Sequence, residues 1–196
     1  MATRRGPRFK ECRRLGVNVC GHPKAMKRAI SDERSRKKLS EYALQLREKQ
    51  KIKAYYGIFE KQLRNYFAKA QRVRTGTTGE VLLCMLEKRL DNMVYRAGFA
   101  SSIRMARQMV SHGHFLVNGK RVNLPSYQLK VGDEIQLCEK SRSNSYFTEL
   151  FTDSLSTVPY LEKNKDQYTA KLSREPERSE LPIEVTDRMV VEFYSR

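Results

Sequence analysis

The sequence predicts an α+β protein: a mainly helical N-terminal unit, then a small module of two helices packed on an antiparallel sheet. Two observations predict it. Apolar residues recur at helical spacing between Leu44 and Val110. The period then changes to strand alternation at Phe115–Val117, where the pair Asn118-Gly119 is the strongest short hairpin signal in the chain. A length of 196 residues allows one or two compact units with real cores.

The first helix is predicted from Ser40, a good N-cap, with Leu39 and Leu44 spaced to form a hydrophobic staple. Ile52, Tyr55 or Tyr56, Phe59, Leu63 and Tyr66 or Phe67 follow at helical spacing, so these aromatics are expected in the core rather than as a base-stacking platform. Gly57 is expected to break or bend the run into two helices. Thr77-Thr-Gly-Glu80 is a capping-box pattern that opens another helix. From there Leu82, Leu83, Leu86, Leu90, Met93, Val94 and Ala97 form one apolar stripe, Arg89, Asn92 and Arg96 form a separate polar one, and Gly98 is the expected stop.

The next helix runs from about Ser102 to His112 and ends at Gly113. Ile103, Met105, Ala106, Met109 and Val110 take one side; Arg104, Arg107, Gln108 and Ser111 take the other. After the hairpin, Val131-Gly-Asp133 is a second turn and Glu134–Leu137 alternates as a strand. Beyond residue 140 the chain is polar, with weak strand signals at Pro159–Glu162 and Tyr168–Leu172. Met189–Tyr194 is apolar enough to dock, at a place the pattern does not name.

Charge points to a partner. The formal net charge is +17, from 39 Lys plus Arg against 22 Asp plus Glu. Residues 1–74 hold 22 basic and 6 acidic side chains, residues 75–140 hold 9 and 6, and residues 141–196 hold 8 and 10. So uneven a distribution fits a polyanion-binding surface, because each phosphate neutralised releases counterions. An anionic membrane is the competing polyanion, but a membrane-surface helix should show Trp, Phe or Leu on one clean face, and the chain has no Trp. No apolar run is long enough to span a bilayer and the N-terminus lacks a signal-type stretch, so a soluble protein in a reducing compartment is expected. Cys12, Cys20, Cys84 and Cys138 do not read as a disulfide framework.

Residues 1–38 carry 13 Lys or Arg and one aromatic, Phe9, without an apolar period. They read as a basic arm that orders against RNA, the bland alternative being a solvated tail. Its candidate RNA contacts are Arg4, Arg5, Arg8, Arg13, Arg14, Arg36, Lys37 and Lys38. In the helical part Arg47, Lys49, Lys51, Lys53, Lys61, Arg64, Lys69, Arg72 and Arg74 lie between the apolar residues and should supply the phosphate-facing surface.

Arg89-Leu-Asp-Asn-Met-Val-Tyr-Arg96, Ala106-Arg-Gln-Met-Val-Ser-His112 and Val117-Asn-Gly-Lys120 resemble the S-four RNA-binding module. That module also occurs in pseudouridine synthases and some aminoacyl-tRNA synthetases. The flanks narrow the resemblance. Leu39-Ser-Glu-Tyr42, Gln45–Gln50, Glu60–Tyr66, Pro176–Ser179, Val191–Ser195, and Arg5–Arg8 with Arg13–Gly16 resemble the ribosomal S-four family over nearly the whole chain.

The resemblance implies a non-catalytic constituent of the small ribosomal subunit. It implies a primary binder of small-subunit ribosomal RNA that nucleates assembly of the subunit body and contributes to translational accuracy. Its implied neighbours are ribosomal proteins of the S-five and S-twelve types, and messenger RNA where it enters, with Arg36, Lys37 and Lys38 at positions near that RNA. On this resemblance the module is an insertion, and the C-terminal segment returns to the helical unit. The expected division is 1–38 arm, 39–86 helical unit, 87–150 module and 151–196 C-terminal segment. The module's candidate RNA contacts are Arg89, Asn92, Arg96, Arg104, Arg107, Gln108, Ser111, His112, Asn118 and Lys120. For His112 and His114 two readings stand, a phosphate contact or helix-end polar residues.

Some relatives carry four N-terminal cysteines that bind zinc; here only Cys12 and Cys20 remain, with His22 nearby, too few for a four-ligand site. No metal and no cofactor is expected. Nor is an enzyme: a pseudouridine synthase needs a catalytic domain with an aspartate nucleophile, and 56 residues after position 140 are too few and too featureless. A ribosome-rescue or heat-shock RNA binder would match little outside the module. The expected place is the ribosome, cytoplasmic or organellar.

Overall fold

A computed structural model of the protein describes residues 6–27, 39–154 and 158–195. In chain order it contains α1 (Arg8–Leu15), α2 (Glu41–Tyr55), α3 (Glu60–Ala70), α4 (Thr78–Glu87), α5 (Leu90–Arg96), α6 (Ile103–Ser111), β1 (Phe115–Val117), β2 (Lys120–Arg121), β3 (Glu134–Leu137), α7 (Glu139–Arg142), α8 (Ser145–Asp153), β4 (Leu161–Asn164), β5 (Thr169–Leu172) and α9 (Asp187–Tyr194). Two compact units result, one of residues 1–82 with 182–196 and one of residues 83–181. The fold class is α+β, as the sequence predicts. No helix among the described residues is long and apolar enough to cross a membrane.

In the first unit, Ser40 caps α2 as expected, its hydroxyl accepting from the Ala43 amide at 3.3 Å. The staple does not form: Leu39 and Leu44 are both exposed. Gly57, at φ 60°, separates α2 from α3, a left-handed conformation that costs other residues more. Tyr56, Leu63, Tyr66 and Phe67 are buried, so the aromatic run is core, while Phe59 stays exposed. Cys12, Leu15, Val19, Ala25 and Ala54 form a second cluster that holds α1 on α2.

The C-terminal helix α9 packs along α2. Gln45 donates to Glu192 at 3.2 Å, Glu48 accepts from the Thr186 amide at 2.9 Å, and the Phe67 and Tyr194 rings lie 4.7 Å apart. The chain end thus returns to the helical unit. Gly79 is part of this seam, since a Cβ there would meet the Asp187 side chain at 2.8 Å.

In the second unit the strands form one antiparallel sheet of order β2-β1-β3-β5-β4. The hairpin has both turn residues at positive φ, 49° at Asn118 and 77° at Gly119, as a two-residue turn between twisted strands requires. The weak strand signals of the C-terminal stretch are realised as β4 and β5, which extend this sheet through pairing of β5 with β3. Helices α7 and α8 have no counterpart in the expectations. Phe151 of α8 stacks on Phe99 at 4.0 Å, and Phe99 meets Phe115 edge-on at 5.2 Å.

The stripe from Leu82 to Ala97 is buried throughout, but it is not one helix. The capping box at its start is present, with Thr77 and Glu80 exchanging hydrogen bonds at 3.1 and 3.3 Å. The break comes at Lys88-Arg89, because the backbone there bonds a neighbouring stretch rather than its own turn. Leu129 donates to Lys88 at 2.9 Å, Leu90 to Tyr127 at 2.9 Å, and Asp91 to Pro125 at 3.1 Å.

Candidate nucleic-acid interface

That break decides which cations reach the surface. Arg89 becomes the N-cap of α5 with an extended backbone, and its side chain points inward, 1% exposed, onto Asp91. Arg89 Nε and Nη2 donate to the two Asp91 oxygens at 3.0 and 2.8 Å. Arg107 of α6 reaches the same carboxylate, donating to Oδ2 at 2.9 Å through Nε and 2.5 Å through Nη2. The Asn92 amide adds a further bond at 3.0 Å. Arg89 thus spans both Asp91 oxygens as a planar bidentate pair, which fixes direction as well as charge, while Arg107 places both its donors on Oδ2.

A second buried carboxylate repeats the device. Glu87 accepts from Arg96 Nε at 2.6 Å and from the Tyr160 hydroxyl at 2.7 Å. Burial, together with the Glu87 charge, pushes the Tyr160 hydroxyl well above its ordinary pKa, so it stays a donor. Asn92 donates to the Glu87 backbone carbonyl at 2.9 Å and is 2% exposed.

The expected polar stripe of Arg89, Asn92 and Arg96 is corrected accordingly. Arg89 and Asn92 are interior groups that brace α5, and Arg96 is mostly covered, its side chain 12% exposed. A helical wheel drawn through residue 89 assumes a continuous helix, and the chain does not make one there. Arg107 too is largely covered, at 14%.

What α6 does present is an amide and hydroxyl face. Gln108, Ser111 and His112 are exposed, Arg104 is half-buried, and Ala106, Met109 and Val110 are buried opposite. Ile103 is only half-buried, so the packed side of α6 starts one turn later than the pattern predicts. Past the helix end, Arg121 donates to the backbone carbonyls of Gly113 at 2.8 Å and His112 at 3.3 Å. Burial and the nearby His112 and Arg121 lower the pKa of His114. Lys120 and Asn118 are exposed, but both ends of the Asn118 amide are engaged, donating to Asp133 at 2.8 Å and accepting from the Glu134 amide at 2.9 Å. Asn118 fixes the hairpin turn.

In the helical unit the predicted phosphate-facing set divides. Lys49 and Lys53 converge on Glu60 at 3.1 and 2.9 Å, with Tyr194 donating to the same carboxylate at 2.8 Å. Burial raises the Glu60 pKa, but the hydrogen bonds from Lys53, Lys49 and Tyr194 outweigh it and hold the carboxyl down at about 2. Lys51 pairs with Glu48 at 2.6 Å. These three lysine side chains are 8–14% exposed, so the structure removes them from the outer surface. Arg47 is half-buried and caps α1, donating to the Leu15 carbonyl at 3.0 and 2.7 Å.

The outward cations are Arg64, Lys69, Arg72 and Arg74, with Lys61 beside them; residues 71–77 form a wholly exposed turn. In α1, Arg14 is exposed and Arg8 and Arg13 are half-buried. Arg4, Arg5, Arg36, Lys37 and Lys38 lie outside the described residues. Near Cys12, the thiols of Cys12 and Cys20 share Asn18 Oδ1 as acceptor, at 4.0 and 3.5 Å. Burial, then Cys20, raises the Cys12 pKa.

Comparison with known proteins assigns the class. Residues 88–135 match the S4 domain and residues 3–87 match the ribosomal protein S4/S9 N-terminal domain. The chain is an RNA-binding ribosomal protein and not an enzyme. It is 55% identical over 199 aligned positions to the small ribosomal subunit protein uS4 of Finegoldia magna, with 100% of both chains covered. To the small ribosomal subunit protein uS4B of Clostridium acetobutylicum it is 47% identical over 196 positions, again with 100% of both covered. The chain belongs to the uS4 family of ribosomal proteins, as a structural constituent of the small subunit.

Proposed function

We propose that this protein is a primary binder of small-subunit ribosomal RNA, nucleating assembly of the subunit body and contributing to translational accuracy. The observation that carries this reading is the exposed cation set Arg64, Lys69, Arg72 and Arg74 in a chain whose second unit offers the exposed polar face Gln108, Ser111 and His112. Phosphate contacts supply affinity and position, and amide or hydroxyl groups on a rigid helix supply discrimination. In this reading residues 1–38 act as an arm on RNA, 39–86 and 87–150 are the two RNA-binding parts, and 151–196 serves as the supporting segment.

Ribosomal proteins of the S-five and S-twelve types are the proposed neighbours. Messenger RNA near its point of entrance is the proposed contact of Arg36, Lys37 and Lys38. The setting is the cytoplasmic ribosome. The test is binding of the full chain to naked small-subunit ribosomal RNA, without other ribosomal proteins, followed by stepwise reconstitution. A primary binder forms a specific complex alone and later proteins depend on it. Binding only after other proteins have joined overturns the proposal.

A further inference from the structure

A groove of about 670 Å³ opens between the β1–β3 side of the sheet and the α7–α8 corner. Its lining includes the apolar Leu116, Leu137 and Phe147 and the cations Arg121, Lys140 and Arg142, with Glu139 the carboxylate among the described lining residues. Two of these cations are fixed by backbone acceptors. Arg142 donates through Nε to the Leu137 carbonyl at 3.1 Å, and Arg121 is held on Gly113 and His112. A guanidinium has five N–H donors, so these bonds orient each fork and engage only part of it. The Phe147 ring is set edge-on to His114 at 5.3 Å, and His114 is in turn bonded to Ser141 at 2.8 Å.

Arg121 also lines a second hollow of about 270 Å³ with Ser111, His112, Gly113 and Asn123, at the C-terminal end of α6. The exposed face of α6 and the groove are therefore neighbours across one arginine side chain. A volume of this order falls within the usual range of small-ligand sites and cannot admit a double helix. An aromatic ring beside several cations in one groove is the chemistry that takes an unpaired nucleotide, base on the apolar surface and phosphate on the cations.

We propose that this groove receives an unpaired nucleotide of the bound RNA, its base against Phe147 and its phosphates on Arg121, Lys140 and Arg142. The proposal rests on the RNA-binding reading and adds a second contact region to it. Two measurements on the full chain test it. Small-subunit ribosomal RNA containing 4-thiouridine is photo-crosslinked to the protein and the adducts are mapped by mass spectrometry; crosslinks within residues 138–147 are expected. In equilibrium titrations, Phe147→Leu should weaken RNA binding roughly 5- to 150-fold, the range that base stacking on an aromatic ring corresponds to, with an unchanged salt slope. Its melting temperature should stay near that of the wild type.

Lys140→Gln, at an exposed residue, should lower the salt slope by about 1. If Phe147→Leu does not fold, the crosslink map and Lys140→Gln decide. Wild-type affinity in both variants, with no adduct in 138–147, overturns the groove proposal while leaving the RNA-binding reading intact. Failure of the wild-type chain to bind the RNA overturns both.

Discussion

In the helical unit, the carboxylates of Glu48 and Glu60 collect three lysines, Lys51, Lys49 and Lys53, along the seam of α2 with α9. In the S4-containing unit, Asp91 and Glu87 are fully buried and collect three arginines, Arg89, Arg107 and Arg96. Both arrangements take cations off the surface, by different means. The lysines are point charges along the α2 surface, and Lys49 lies over the rings of Phe193 and Tyr194 as well. The arginines are planar forks gathered on two fully buried carboxylates, each of which accepts from more than one donor. A count of basic residues therefore overstates the exposed positive charge in both units.

The largest effect should come from breaking the interior clamp. Asp91→Asn removes the buried carboxylate charge that Arg89 and Arg107 share and should cost about 3–5 kcal/mol of stability in the S4-containing unit, read from denaturant unfolding. Next comes the packed side of α6. Met109→Ala, at a residue 3% exposed, should cost about 2–5 kcal/mol and change RNA affinity only through unfolding. Gln108→Ala should do the reverse, shifting stability by about 0.5 kcal/mol or less while weakening RNA binding at moderate salt. Arg107→Ala is a poor probe of that face, because it also strips Asp91 of a partner.

A smaller effect reads the lysine seam by pH. The folded Glu60 carboxyl, at about 2, lies below its ordinary value of 4.5. Between those values the unfolded chain binds the extra proton, so stability falls as pH falls through that window and is fully present above it. Thermal melts from pH 6 down to about 2 should show this loss in the wild type. In Glu60→Gln the corresponding slope should be absent.

Local signals carried much of the fold. Ser40, Gly57, the Thr77–Glu80 box, Gly113 and Asn118-Gly119 each mark an element end through chemistry confined to a few residues, and each is realised. The break at Lys88-Arg89 has no such mark: helical periodicity runs straight through it, and only backbone bonds to residues 125–129 create it. The same break turned Arg89 and Asn92 from expected RNA contacts into interior braces. Helix α8 was illegible for a related reason. Its one fully buried apolar residue, Phe151, makes sense only against Phe99 and Phe115, far away in sequence. Arg121 could have been found from its place opposite Leu116 in the hairpin, while the inward turn of Lys49, Lys51 and Lys53 depends on partners that no spacing rule identifies.

In the proposed function, exposure and pairing, rather than the number of basic residues, decide which side chains can meet phosphate. The most direct test is the slope of log affinity against log salt for small-subunit ribosomal RNA. The double variant Arg72→Gln/Arg74→Gln should reduce the slope by about 2, roughly 1 for each phosphate no longer neutralised, and Lys53→Gln should leave it unchanged. A normal slope in the double variant together with a reduced slope in Lys53→Gln would show that pairing does not decide which cations reach the RNA.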